Sequence, residues 1–105
     1  MKEKIEALAE LIERERLAYM MRYFNQDEER TREAHYVSSI KTTVKPGKKY
    51  TKVDIGGSGR YMVENETGNI YGIKAYGVIH RGHYYGTVDT ISDWYWGDYT
   101  AQRRA

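Results

Sequence analysis

A chain of 105 residues without a single cysteine has the length of one domain, and it excludes disulfides and thiolate metal sites. Seventeen Lys and Arg against fifteen Asp and Glu leave a formal charge of +2. The charge is uneven: residues 1–34 hold seven basic and nine acidic side chains, whereas residues 35–105 hold ten and six.

The opening Met1-Lys2-Glu3-Lys4-Ile5-Glu6 has no apolar run. Neither a secretory signal nor a membrane span is therefore expected, and the reading is a cytoplasmic protein. From Glu3 to Phe24 the apolar residues Ile5, Leu8, Ala9, Ile12, Tyr19, Met20 and Tyr23 recur at helical spacing without Gly or Pro. Glu15 and Arg22 fall at would-be heptad core positions, which argues against a long coiled coil. The segment Leu17–Phe24 is apolar nearly all round and is expected to pack on the rest of the chain. Leu8, Leu11 and Ile12 form a face wide enough to pair with a second copy, so a homo-oligomer through the helix is a further expectation. Asn25 with Glu28 has the form of a capping box that starts a second helix over Gln26–Glu33, although one continuous helix fits the pattern equally.

After Ala34 the texture changes to β-branched residues, tyrosines and glycines. Tyr36–Val44 reads as a strand closed by the turn Lys45-Pro46-Gly47-Lys48. Tyr50–Ile55 follows, with Thr51, Val53 and Ile55 on one face and Tyr50, Lys52 and Asp54 on the other. Gly56-Gly57-Ser58-Gly59 is a flexible connection. Arg60–Asn65 and Asn69–Gly77 flank Glu66-Thr67-Gly68 as a hairpin. A further hairpin is expected at His80-Arg81-Gly82-His83, between Ala75–Ile79 and Tyr84–Val88. Ile91–Trp96 is a last strand before a loose tail. The fold class is α+β: an N-terminal amphipathic helix packed on a small antiparallel sheet or open β-barrel of four to six strands.

The glycine run fails the tests of a phosphate loop, because no Lys-Ser/Thr pair leads from it into a helix. It is read as an inter-strand connection, with Arg60 left as an anion contact. His80 and His83 could converge on a metal with Asp89 or Asp93, or serve as acid and base. No third ligand has a diagnostic spacing, so no metal, cofactor or catalytic set is assigned. A His80/His83/Asp89 hydrolase stays as the third hypothesis. Asp89 and Asp93 are read as turn caps around Ile91.

Eleven tyrosines and two tryptophans stand against one phenylalanine, a preference for rings with a polar edge that suits half-buried or binding surfaces. With Thr51, Val53 and Ile55 inward, Tyr50 and Lys52 face out; with Tyr71, Ile73 and Ala75 inward, Lys74 and Tyr76 face out. Tyr50, Lys52, Arg60, Lys74, Tyr76, Arg81 and His83 then make a basic face with interleaved rings. Lys and Arg on such a face neutralise phosphates while Tyr50 and Tyr76 stack on bases.

The Gly56–Gly97 segment, above all GSGRYMVENETGNIYGIKAYGVIHRGHYYGTVDTI, resembles small proteins of phages and environmental viruses that carry no assigned activity. The resemblance implies a viral origin and a non-enzymatic role, and it implies no site residues. The expected function is a binding protein that contacts nucleic acid. The alternative partner is a host protein, gripped by an inhibitor or adaptor of anti-defence type through the same tyrosines and arginines.

Overall fold

A computed structural model describes residues 1–23, 40–98 and 100–104. The second helix over Gln26–Glu33, its capping box and the Tyr36–Ser39 part of the first expected strand lie outside the described residues. Among the described residues, helix α1 (Lys2–Tyr23) precedes the strands β1 (Thr42–Lys45), β2 (Tyr50–Ile55), β3 (Ser58–Glu64), β4 (Asn69–Ala75) and β5 (Val78–Thr87). A 3₁₀ turn (Ile91–Asp93) and two short strands, β6 (Trp94–Tyr95) and β7 (Gln102–Arg103), complete the chain. The five strands form one antiparallel meander in the order β1-β2-β3-β4-β5. It stays open, with β1 and β5 as its edges, so the fold is α+β and not a barrel.

Helix α1 lies on one face of this sheet. Ile5, Leu8 and Ile12 are buried in a single cluster with Val53, Ile55, Tyr61, Val63, Ile70, Tyr85, Val88 and Trp96. The first turns of the helix therefore pack on the sheet, whereas Leu17 and Tyr19 stay exposed, the reverse of the sequence expectation. The reason is length. Twenty-two helical residues span about 33 Å, but strands of six or seven residues span only about 20–23 Å. One end must overhang, and the cleaner Ile5/Leu8/Ile12 spacing takes the sheet. Leu8 and Ile12, expected as a face for a second copy, are thus covered by the chain's own core. What the described helix leaves open to a second copy is Leu17 and Tyr19.

The turns also depart from the reading in places. Gly56 and Gly57 are a tight two-residue hairpin between Ile55 and Ser58 rather than a flexible connection. Both have positive φ, 60° and 85°, the backbone that lets a two-residue turn follow the strand twist. Ser58 and Gly59 belong to β3. The Glu66-Thr67-Gly68 turn is where it was expected, with Gly68 at φ 80°. The expected hairpin at His80–His83 is absent. Those four residues lie inside β5, and the chain reverses at Tyr76-Gly77, between paired Ala75 and Val78.

Ile91–Trp96 is not one strand. The turn that leads into the 3₁₀ segment is held by Thr hydroxyls and not by Asp caps: Thr90 Oγ1 accepts from the Thr87 amide and Thr87 Oγ1 from the Asp89 amide. The tail is not loose either, because Gln102–Arg103 pairs with Trp94–Tyr95. Glu15 of α1 ties this segment to the helix, accepting from the Trp96 amide at 3.2 Å and from Arg104 at 2.6 Å. No helix among the described residues is long and apolar enough to cross a membrane.

Candidate functional site

The sheet has two faces of different chemistry. The helix-covered face carries Thr51, Val63 and Ile70 in one cross-strand row and Val44, Val53 and Tyr61 in the next. The opposite, outer face carries the row Lys45, Lys52, Met62, Tyr71 and Tyr84. Tyr71 therefore lies in the same row as Lys52 on the outer face, with Met62 between them, not inward as alternation from Ala75 suggested. It is buried all the same, because Arg81 lies over its ring at 5.7 Å and Tyr84 packs beside it at 5.8 Å.

Tyr76 closes the other end of this face. The Lys52 ammonium stands 4.7 Å above its ring and Lys45 stands 5.7 Å from it. The ring crosses Gly59, where an added Cβ would sit 2.7 Å from Cδ1 of Tyr76. Only glycine admits that approach. Beneath lies Asp54, expected to face solvent but 1 % exposed. Its Oδ2 accepts from Tyr76 Oη at 3.0 Å and pairs with Lys45 Nζ at 3.3 Å. Hydrogen bonds to Tyr76 and then to Asp54 raise the Lys45 ammonium above its ordinary pKa. A buried carboxylate thus anchors an exposed ring and a lysine together, while Tyr76 keeps 51 % of its surface in solvent. Arg81 donates to Tyr50 Oη at 3.2 Å, and Lys49 stands 5.6 Å from the Tyr50 ring.

Of the seven residues expected to make contact, Tyr50, Lys52, Tyr76 and Arg81 meet on this outer face. The other three do not join them. Arg60 is the extra residue of a bulge, since Val53 pairs with Tyr61 and Asp54 with Gly59. The bulge sends it toward the helix side, where its charge acts on Arg16, Tyr61 and Tyr85. His83 belongs to a longer bulge: Tyr71 pairs with Tyr84 and Gly72 with His80, leaving Arg81-Gly82-His83 unopposed. The bulge turns Arg81 to the outer face and His83 over Gly72, on the helix side. Lys74 is exposed, and alternation from buried Ile70 sets it on the face opposite Tyr71.

Sequence reasoning placed Tyr84 on the ring-bearing face but missed Lys45, Lys49 and Tyr71 as members of the outer array. The signal for Lys45 was present in its spacing to Lys52 around Pro46-Gly47, which sets like charges opposite each other once the hairpin closes. His80 and His83 stack at 4.0 Å with planes 5° apart, and His80 Nδ1 accepts from the Gly82 amide. Asp89 lies elsewhere, paired with Lys4 of α1 at 2.6 Å. Among the described residues no three His, Asp or Glu gather as a metal would need.

On the helix side, Tyr61 is fully enclosed, edge-on to Tyr85 and Trp96 at 5.3 Å each. Burial, against the pull of Arg16, pushes its phenol from 10.0 up to about 12. The unfolded chain ionises this phenol near pH 10 while the folded chain resists. The contribution to stability is thus complete below pH 10 and is lost as pH rises toward 12, by about 2–3 kcal/mol. Urea midpoints at pH 9 and pH 11.5, with Tyr61→Phe as the comparison, measure it. A midpoint that falls equally in both proteins would assign the alkaline loss to other groups.

No protein-family model, curated protein or solved structure matches the chain, so the functional reading rests on the two surfaces just described.

Proposed function

We propose that the chain is a non-enzymatic nucleic-acid-binding protein whose contact surface is the outer face of the sheet. The observation that carries the reading is the interleaving on that face: Lys45, Lys49, Lys52 and Arg81 each stand over or bond to Tyr50, Tyr71 or Tyr76. Cations beside rings suit a single strand, with phosphates on the ammonium and guanidinium groups and bases on the ring faces. A base stacked on Tyr76 moves the Lys52 ammonium from the ring to the neighbouring phosphate. Base edges have few fixed partners on such a surface, so sequence preference is weak. The resemblance of the Gly56–Gly97 segment to small phage and environmental-virus proteins is in keeping with a binding role of this kind.

Fluorescence anisotropy with labelled single- and double-stranded DNA and RNA tests the reading. Each phosphate contact removed flattens the plot of log affinity against log salt by about 0.7 for single strands. Lys52→Ala with Arg81→Ala is expected to weaken binding and lower that slope by roughly 1–2. Lys74→Ala, on the other face, is the control and is expected to leave both unchanged. Equal slopes in all three proteins would remove the outer face from the assignment.

A protein partner is the second reading, and exposed Val78 beside Tyr76 favours it. Apolar surface next to a tyrosine and arginines is what a protein hot spot uses. Nuclease-insensitive co-purification of one host protein would favour this reading over the first.

A further inference from the structure

The helix side of the sheet holds a second basic recess, at the β5 edge. A cavity of about 160 Å³ is lined by Arg60, Tyr61, Gly72, His83, Tyr85 and Thr100, among others. None of its described lining residues is acidic. Its floor is the backbone at Gly72, where a Cβ would stand 2.9 Å from that of His83. The Tyr61 hydroxyl already accepts from the Ala101 amide at 3.0 Å. Arg60, His83, Tyr85 and Thr100 bring a guanidinium, an imidazole and two hydroxyls to its described lining. Arg16 of α1, outside that lining, brings a second positive charge near Tyr61 and Arg60: burial lowers its pKa, Tyr61 opposes that, and the like charge of Arg60 lowers it again. Asp98 is the acid that faces Arg16.

Size selects the ligand. The recess is smaller than the roughly 300 Å³ at which sites for drug-sized molecules begin, and it holds the volume of about five waters. That excludes a nucleoside and admits a tetrahedral oxyanion with the first atoms of whatever carries it. A guanidinium engages two oxygens of a phosphate at once, which leaves one oxygen for His83 and the hydroxyls.

We propose that this recess binds the phosphate group of a phosphomonoester, with Arg60 as the bidentate donor and His83 and Thr100 on the remaining oxygen. The ester has two possible sources, a free small phosphomonoester or the phosphorylated end of a nucleic-acid strand. Arg81 and His83 stand two residues apart on opposite faces of the edge strand. A strand on the outer face can therefore pass over that edge and set its end in the recess.

Titration of the full chain with inorganic phosphate, followed by amide NMR, is the test. Saturable shifts confined to Gly59, Gly72, His83 and Thr100, absent with chloride at equal ionic strength, are expected. Arg60→Gln is expected to weaken phosphate binding about tenfold or more, the loss typical of a hydrogen bond to a charged group. Should Arg60→Gln fail to fold, His83→Gln and Thr100→Val read the same loss. Diffuse shifts that never saturate, or undiminished binding in these variants, overturn the proposal. The source follows from oligonucleotides with a 5′-phosphate or a 5′-hydroxyl. A gain from the phosphate that depends on Arg60 identifies a strand end, and equal affinity alongside saturable phosphate binding identifies a free ester. Lys52→Ala with Arg81→Ala leaves inorganic phosphate binding intact, so failure of the outer-face reading and failure of this one are distinguishable.

Discussion

Trp96→Ala is expected to lower the free energy of unfolding by about 3–5 kcal/mol, the range for deleting a buried aromatic side chain. Trp96 has 0 % exposure and is the member of the core that joins three parts of the chain. Its ring meets Tyr61 of β3 edge-on at 5.3 Å, and Tyr85 of β5 lies 6.4 Å away. Its indole donates to the Ile91 carbonyl at 2.9 Å, and its own amide donates to Glu15 of the helix. Truncation opens a cavity at the centre of that junction and removes one of two donors to the Ile91 carbonyl, the Trp94 amide being the other. Trp96→Phe keeps most of the volume and loses only the indole bond, so a smaller cost, on the order of 1–2 kcal/mol, is expected. Urea unfolding followed by circular dichroism measures both. If Trp96→Ala cost less than about 1 kcal/mol, the C-terminal segment would be a surface attachment and not part of the core.

Tyr76→Ala with Tyr84→Ala is expected to weaken binding of single-stranded oligonucleotides most among changes on the outer face. Each stacking ring contributes about 1–3 kcal/mol, roughly five- to a hundredfold in affinity. Both rings are half in solvent, Tyr76 at 51 % and Tyr84 at 47 %, so each has a face for a base. The Tyr76 hydroxyl complicates a simple truncation, because it donates to buried Asp54. Tyr76→Phe separates the roles: it keeps the stacking face and gives up the bond to the carboxylate. Affinity retained in the Phe variant and lost in the Ala variant assigns stacking to the ring. Loss in both would mean that the Asp54 bond, by fixing where the ring sits, governs the contact. Affinity unchanged in the double Ala variant would overturn the stacking role.

Much of the architecture was legible in the residues, and what was not legible has a common cause. The helix showed in the Ile5/Leu8/Ile12 spacing, and β2 in the alternation of Thr51, Val53 and Ile55, all of which are buried. Alternation is a local rule, however, and one inserted residue reverses it. Arg60 and the Arg81–His83 insertion are such residues, and nothing in the sequence marks them apart from nearby glycines. They moved Arg60 and His83 off the face assigned to them. The burial of Asp54 was illegible for a different reason. Its cover, Tyr76, lies 22 positions along the chain, and only the Tyr76-Gly77 turn brings it back over β2. The overhang of α1 depends on comparing element lengths, which the apolar pattern of either element does not contain.

The open meander leaves two strands, β1 and β5, each with one flank of backbone donors and acceptors unspent within the sheet. Such flanks invite pairing with any extended chain, including another copy of this one. In β5 the three unopposed residues Arg81-Gly82-His83 interrupt the regular repeat that a docking strand would have to match. In β1 only four residues are extended, ending in Lys45 and followed by Pro46. A strand added on either side would find too short or too broken a template. The same irregularities that divide the basic residues between two surfaces therefore also protect the sheet from growing by self-templated addition.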